Sequence, residues 1–247
     1  MIFDKWRRTE KVETKLTKRQ GNSDKAINVK RKDVKKDFAE GRYSTIHETK
    51  VALEGDQKQR EISLVVKKYR DGPHFDGNSD EVDTSAEMVF RKYDICKKAG
   101  LKVPPTFRLD LANDSIVMTN YNKGGNIALA SNPNKKAEGW ITNTKIEDIE
   151  NLEALLVGLR KQCELAARNH IKLAEDSFFL IFPAKGGVVN ADFVISDLDH
   201  VEISQTEANM LLRFNLHSAE SFLYCINRDY GNPQLRERLN SFESILN

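Results

Sequence analysis

The clearest periodicity in the chain runs through Leu152, Leu155, Leu156, Leu159, Cys163 and Ala166, the spacing of one helical face, and predicts a helix that ends near Asn169. A second helix follows Thr84 or Ser85 as cap, with Ala86, Val89, Phe90, Tyr93 and Cys96 on one face and Gly100 as its stop. Elsewhere the period is two. Residues 61–69 (EISLVVKKY) set Ile62, Leu64 and Val66 against Ser63, Val65, Lys67 and Tyr69, which predicts a half-buried strand. Shorter strands are expected at 43–46 and 51–53, then at Thr106–Leu109 and Ser115–Thr119 around the turn residues Ala112, Asn113 and Asp114. The apolar run 178–182 (FFLIF) predicts a buried strand, and residues 192–196 return from the turn at Lys185, Gly186 and Gly187. Residues 122–147, rich in Gly, Asn and Lys, read as an irregular connection with a mobile tip. The last fifty residues read as helices, one opened by Ser204 and Glu207 as a capping box, the last by Asn232 and Pro233 with Leu235, Leu239, Phe242 and Leu246 on its face.

Strands with one helix inserted, then a linker, a helix, a hairpin and more helices make an α+β chain in two segregated parts. The 247 residues allow a core that needs no staples, and no apolar run reaches the length of a membrane span. The opening MIFDKWRRTEKVETK carries no apolar leader core, so export by that route is not expected. Cys96, Cys163 and Cys225 are too far apart for a Cys-rich zinc site or a disulfide framework. The expected setting is therefore the reducing cytoplasm, with a secreted effector as the other possibility. Charge changes the picture at one end. Residues 1–36 hold 13 basic and 5 acidic side chains, a charge of +8, against 26 and 32 in the remainder, −6. This segment, taken as a basic extension over 1–37, reads as a solvated flexible arm or a short helix docked by Phe3 and Trp6. A partner rich in phosphate or carboxylate would suit it, but interleaved aromatics and a reader motif are missing, which argues against nucleic acid.

Four groups are candidates for chemistry. Lys67 ends the apolar strand 64–66, where an ammonium could grip phosphates or sit at a sheet edge. Glu87 lies 20 positions later in the first turn of a helix, as an ion-pair partner or a complement to the helix dipole. Asp197 and Asp199 follow a hairpin strand, as metal ligands or turn caps. Asp176 closes the loop that leads to the 178–182 strand.

In order and spacing these elements resemble the protein-kinase-like fold over about residues 38–203. The resemblance implies a small antiparallel β N-lobe with one helix at 38–121, and a shortened, mainly helical C-lobe at 122–247. It implies ATP and Mg²⁺ as cofactors. Lys67 would hold the α- and β-phosphates, Val65 would pack on the adenine, and Glu87 would orient Lys67. Met118, Asn120 and Tyr121 would form the interlobe hinge that meets the adenine edge, and Gly41 would begin the nucleotide-covering hairpin. Asp197, with Asp199, would bind metal. Asp176 would supply a second metal ligand or, like Glu175, the base.

The sequence departs from the family where a kinase has H-R-D-x-x-x-x-N. Residues 169–178 read NHIKLAEDSF, and counting back from Asp176 or Ser177 puts Ile171 or Lys172 in the place of the base. His170 has no Asp two residues on and reads as a helix-end cap. The expectation is therefore an atypical minimal kinase acting on a protein or small-molecule hydroxyl, or a pseudokinase that binds a protein partner.

Overall fold

The computed structural model describes residues 11–20, 23–40, 44–53, 61–70, 74–75, 81–82, 85–109, 114–122, 124–130 and 146–241. It is an α+β chain with two compact units. One unit runs as far as Arg91 and takes in residues 105–120, and the other holds 92–104 and the chain from Tyr121 onward.

The first unit is a closed barrel. Its strands are β1 (Lys11–Gln20), β2 (Ser23–Glu40), β3 (Ser44–Leu53) and β4 (Glu61–Tyr69). After β4 come a two-residue pair, β5 (His74–Phe75) and β6 (Glu81–Val82), then helix α1 (Ala86–Lys98), β7 (Thr106–Leu109) and β8 (Ser115–Thr119). The barrel order is β1-β2-β3-β4-β8-β7, every pair antiparallel. It closes where Leu16 and Thr17 of β1 meet Leu109 and Arg108 of β7. These two pairs join the first and last strands of the sheet. Val51, Leu64, Val66 and Val117 form a buried cluster with Phe107 against it. Ser85 is the residue that caps α1, its hydroxyl accepting the Met88 N–H at 3.2 Å. Gly100 stops the helix region with φ +82°, a conformation that favours a residue without Cβ.

The second unit builds on β9 (Asn126–Ala130), β10 (Ile146–Ile149), α2 (Leu152–Arg168), β11 (Ile171–Lys172), β12 (Phe178–Pro183), β13 (Gly187–Val189), β14 (Asp192–Ile195), β15 (Glu202–Ile203), α3 (Ala208–Tyr230) and α4 (Pro233–Ser241). Strands β14-β12-β9 make an antiparallel sheet, β10 and β13 pair in parallel, and β11 pairs with β15. Helices α2 and α3 pack on each other, and the apolar stripe of α2 is buried from Leu152 to Ala167. Phe178 stacks at a tilt on Phe222, ring centroids 5.7 Å apart. Among the described residues no helix is long and apolar enough to cross a membrane.

Four expectations need correction. Residues 11–20 and 23–40, expected as a flexible arm or a short helix, form two of the six barrel strands. Their apolar positions are sparse, yet they keep the strand period: the register sets Leu16 opposite Ile27 and Thr14 opposite Val29. The separate strands expected at 43–46 and 51–53 are one strand, because Thr49 is buried and keeps the alternation through the polar stretch between them. The connection at 122–147 contributes β9, whose backbone pairs with β12 from Asn126 to Ala130. The capping box at Ser204 does not form. Helix α3 starts at Ala208, and the Ser204 hydroxyl accepts the Thr206 N–H at 3.1 Å, a local turn that competes with a helical start. Asn232, by contrast, caps α4 as expected, its carbonyl oxygen accepting the Leu235 N–H at 3.1 Å. Phe242, Leu246, Trp6, Thr84 and Gly41 lie outside the described residues.

Candidate functional site

In the barrel unit the candidates gather on one side of the β4–β8 pair. Alternation puts Leu64, Val66 and Val117 on one face, in the buried cluster. The opposite face carries Ser63, Val65, Lys67 and Tyr69 from β4 and Ile116, Met118 and Asn120 from the strand β8 and the residue after it. Val65 is the direct cross-strand partner of Met118, and Lys67 of Ile116. This face is dry: Lys67 is only 3% exposed, and Ser63, Tyr69, Ile116, Met118 and Asn120 are buried with it. The Lys67 ammonium stands 5.3 Å from the centroid of the Tyr69 ring, within reach of its negative face. Beside it runs a short polar relay. Asn120 Nδ2 donates to Ser63 Oγ at 3.0 Å, and Ser63 Oγ donates to Glu48 Oε1 at 2.6 Å.

Met118 lies inside β8 with a strand on each side, Val65 across one and Thr106 across the other. Asn120 and Tyr121, just past the strand, are the hinge candidates whose backbone lies beyond this ladder. Glu87 has two arginine partners. Arg91 Nη2 donates to its Oε1 at 2.8 Å and Arg108 Nη1 to its Oε2 at 2.6 Å. One is a helical neighbour four residues on, and the other ties α1 to β7.

In the second unit the acidic candidates are held by backbone geometry. The Ser196 N–H donates to the Ser177 carbonyl at 2.7 Å. Asp176 and Asp197 each sit one residue from that bond. Asp176 belongs to a 3₁₀ turn at Glu175–Ser177, and Asp197 opens a second one at Leu198–His200. Asp197 takes the left-handed conformation, φ 55°, ψ 65°, which Asp tolerates better than most residues but which still costs energy. Its N–H donates to the Tyr93 hydroxyl at 3.1 Å, and that hydroxyl is 3.1 Å from Ser196 Oγ. Tyr93 is buried on α1, so helix and hairpin end are pinned together. Asp199 is buried, and its carbonyl accepts from Lys92 Nζ at 2.7 Å. His200 Nε2 stands 4.0 Å from Asp176 Oδ2.

The loop that delivers Asp176 is clamped from behind. Asn215 of α3 is fully buried. Its oxygen accepts the Leu173 N–H at 2.7 Å, and its Nδ2 donates to the Ile171 carbonyl at 3.0 Å and to the Cys163 carbonyl at 3.4 Å. Ser218 adds a bond to the Leu173 carbonyl at 3.0 Å. Just upstream His170 has φ 58°, so the turn out of α2 is tight. Lys172 is engaged elsewhere, 3.1 Å from Glu202 Oε2. Burial raises the Tyr121 phenol above its ordinary pKa, and the nearby Asp192 carboxylate adds to the effect.

No three His, Cys, Asp or Glu side chains among the described residues converge as a cation cage. Asp176 and Asp197 are hard oxygen donors, of the kind that holds Mg²⁺ by one or two carboxylates while phosphate oxygens complete the shell. No protein-family model matches the chain, and no curated protein is recognisably similar to it.

Sequence reasoning missed Tyr93, Asn215, Ser63 and Glu48. Tyr93 reads only as part of an apolar helix face, and Asn215 as a polar residue in a helix. Their hydroxyl and amide acquire roles through residues more than 40 positions away.

Proposed function

We propose that the chain is an ATP- and Mg²⁺-dependent phosphotransferase with a bilobal protein-kinase-like organisation and a reduced C-terminal half. The observation that carries this reading is the backbone bond from Ser196 to Ser177, which brings Asp176 and Asp197 to neighbouring positions at the end of a hairpin. Lys67 adds support. A buried ammonium is costly to desolvate, and an ammonium kept in such a place suits a group that must meet phosphate in a dry setting.

In this reading Val65 and Met118 offer the adenine an apolar surface, and the backbone at Asn120 and Tyr121 meets its edge. Lys67 grips the α- and β-phosphates. Asp197 and Asp176 hold Mg²⁺, which supplies charge neutralisation at the transferring phosphoryl group. Asp176 or Glu175 accepts the proton of the attacking hydroxyl, on a protein or a small molecule. Glu87, held by Arg91 and Arg108, braces α1 against β7. Asp199 supports the hairpin end through its carbonyl.

A second reading rests on Lys172. It occupies a position where the resemblance calls for the base, and it is committed to Glu202. A protein with that loop can bind nucleotide and a partner protein without transferring phosphate. Thermal shift and calorimetry with ATP and Mg²⁺, followed by incubation with γ-labelled ATP, separate the two. The phosphotransferase reading expects stabilisation by ATP that EDTA reverses, loss of it in Lys67→Ala and Asp197→Asn, and slow transfer or hydrolysis by the wild type. Binding without turnover favours the scaffold. Wild-type nucleotide behaviour in both variants, or no binding at all, refutes the site.

A further inference from the structure

We infer that the outward stripe of α3 is a self-association surface that takes a second copy of this chain, antiparallel about His217. Leu211, Asn215, Ala219, Phe222 and Ile226 bury one face of α3 in its own unit. The opposite face should then be polar. Instead Met210, Phe214 and Tyr224 are 53%, 46% and 66% exposed. With His217 and Ser221 they fall at steps of four, three, four and three residues. That is the 3.5-residue period of a helix that meets another helix along a seam, here sustained for about 21 Å.

Charge chooses the occupant. Arg213 lies four residues before His217 and Glu220 three after it, both beside the stripe. In an antiparallel pair about His217, Arg213 of each copy meets Glu220 of the other, and Met210 of each meets Tyr224 of the other. A parallel pair, with its two-fold along the helices, would carry the Arg213 and Glu220 of the two copies to opposite sides of the seam, where they do not meet. The pattern is thus complementary to itself under a two-fold axis, the property of an isologous interface. Within one copy Glu220 stands 4.0 Å from His217, a long contact, and Phe214 is touched on one side by the Lys172 ammonium, 5.7 Å from the ring centroid. Neither arrangement competes with the pairing.

Sedimentation equilibrium of the full chain over a range of concentrations tests this. The expected result is a reversible two-copy mass, shifted to one copy in Phe214→Glu. Arg213→Glu and Glu220→Arg should each weaken the dimer by about tenfold, since each change strikes two symmetry-related ion pairs. The double variant R213E/E220R should recover most of the loss. All these side chains are exposed, so circular dichroism should show each variant folded. A wild-type chain that stays at one-copy mass up to its solubility limit overturns the proposal. So does a dimer indifferent to both charge reversals, or one that the double reversal fails to restore. These outcomes are independent of nucleotide binding.

Discussion

Asp197 shows how much a single residue carries. Its left-handed backbone would suit glycine, yet a carboxylate stands there, with its N–H tied to Tyr93. Strain of that kind persists where the surroundings over-determine it, and it turns the residue away from the line of β14. Lys67 is the matching case in the barrel, a cation held buried within a strand. The buried thiols give a direct test of packing. Burial raises Cys96 and Cys163 from an ordinary 9.0 to about 12. The unfolded chain therefore loses these protons first as pH rises. Their contribution to stability is full below pH 9 and falls between pH 9 and 12, by about 1.4 kcal/mol per thiol per pH unit. Urea titrations across this window should show the fall, and Cys96→Ala should remove about half of the thiol part of the slope. An unchanged slope in that variant would mean that the thiol ionises as easily folded as unfolded.

At the scale of elements the decisive feature is α3. Its inner face does more than fill space, because Asn215 and Ser218 hold the backbone of the loop between α2 and β12. Replacing Asn215 by alanine leaves the Leu173 N–H and the Ile171 carbonyl buried without this partner. The expected cost is about 2–4 kcal/mol, read as a lower urea midpoint. Hydrogen exchange should rise at 171–177 while the α2 core stays protected. Exchange rising equally throughout α2 would assign Asn215 to general packing instead. The element-level reading from sequence was good where the period was strong: α1, α2, β4, β7, β8, β12 and β14 all follow from apolar spacing and turn residues. It failed at Ser204, where a hydroxyl satisfied its own loop rather than the helix, a choice between local partners that the motif itself cannot rank.

For the whole molecule the lesson lies in the first forty residues. Thirteen basic side chains in 1–36 read as a solvated arm, but β1 and β2 complete a barrel that closes through two residue pairs to β7. Without them β3 and β7 would be left as open edges beside the Val51, Leu64, Val66 and Val117 cluster. A chain lacking residues 1–43 should therefore aggregate, or lose the cooperative unfolding of the barrel unit, when followed by circular dichroism and light scattering. Unfolding like that of the full chain would restore the idea of a dispensable arm.

The amino-acid sequence by itself determined the α+β character, the helices with strong stripes, the strand that bears Lys67 and the hairpin that ends at Asp197. Each of these is written in contacts between near neighbours, where period and turn chemistry act. The tertiary structure alone decided barrel closure, the two arginines on Glu87, the hydroxyl of Tyr93 beneath Asp197 and the amide of Asn215 behind the loop. Those depend on partners brought together from tens of residues away, and spacing along a chain does not specify which distant groups will meet.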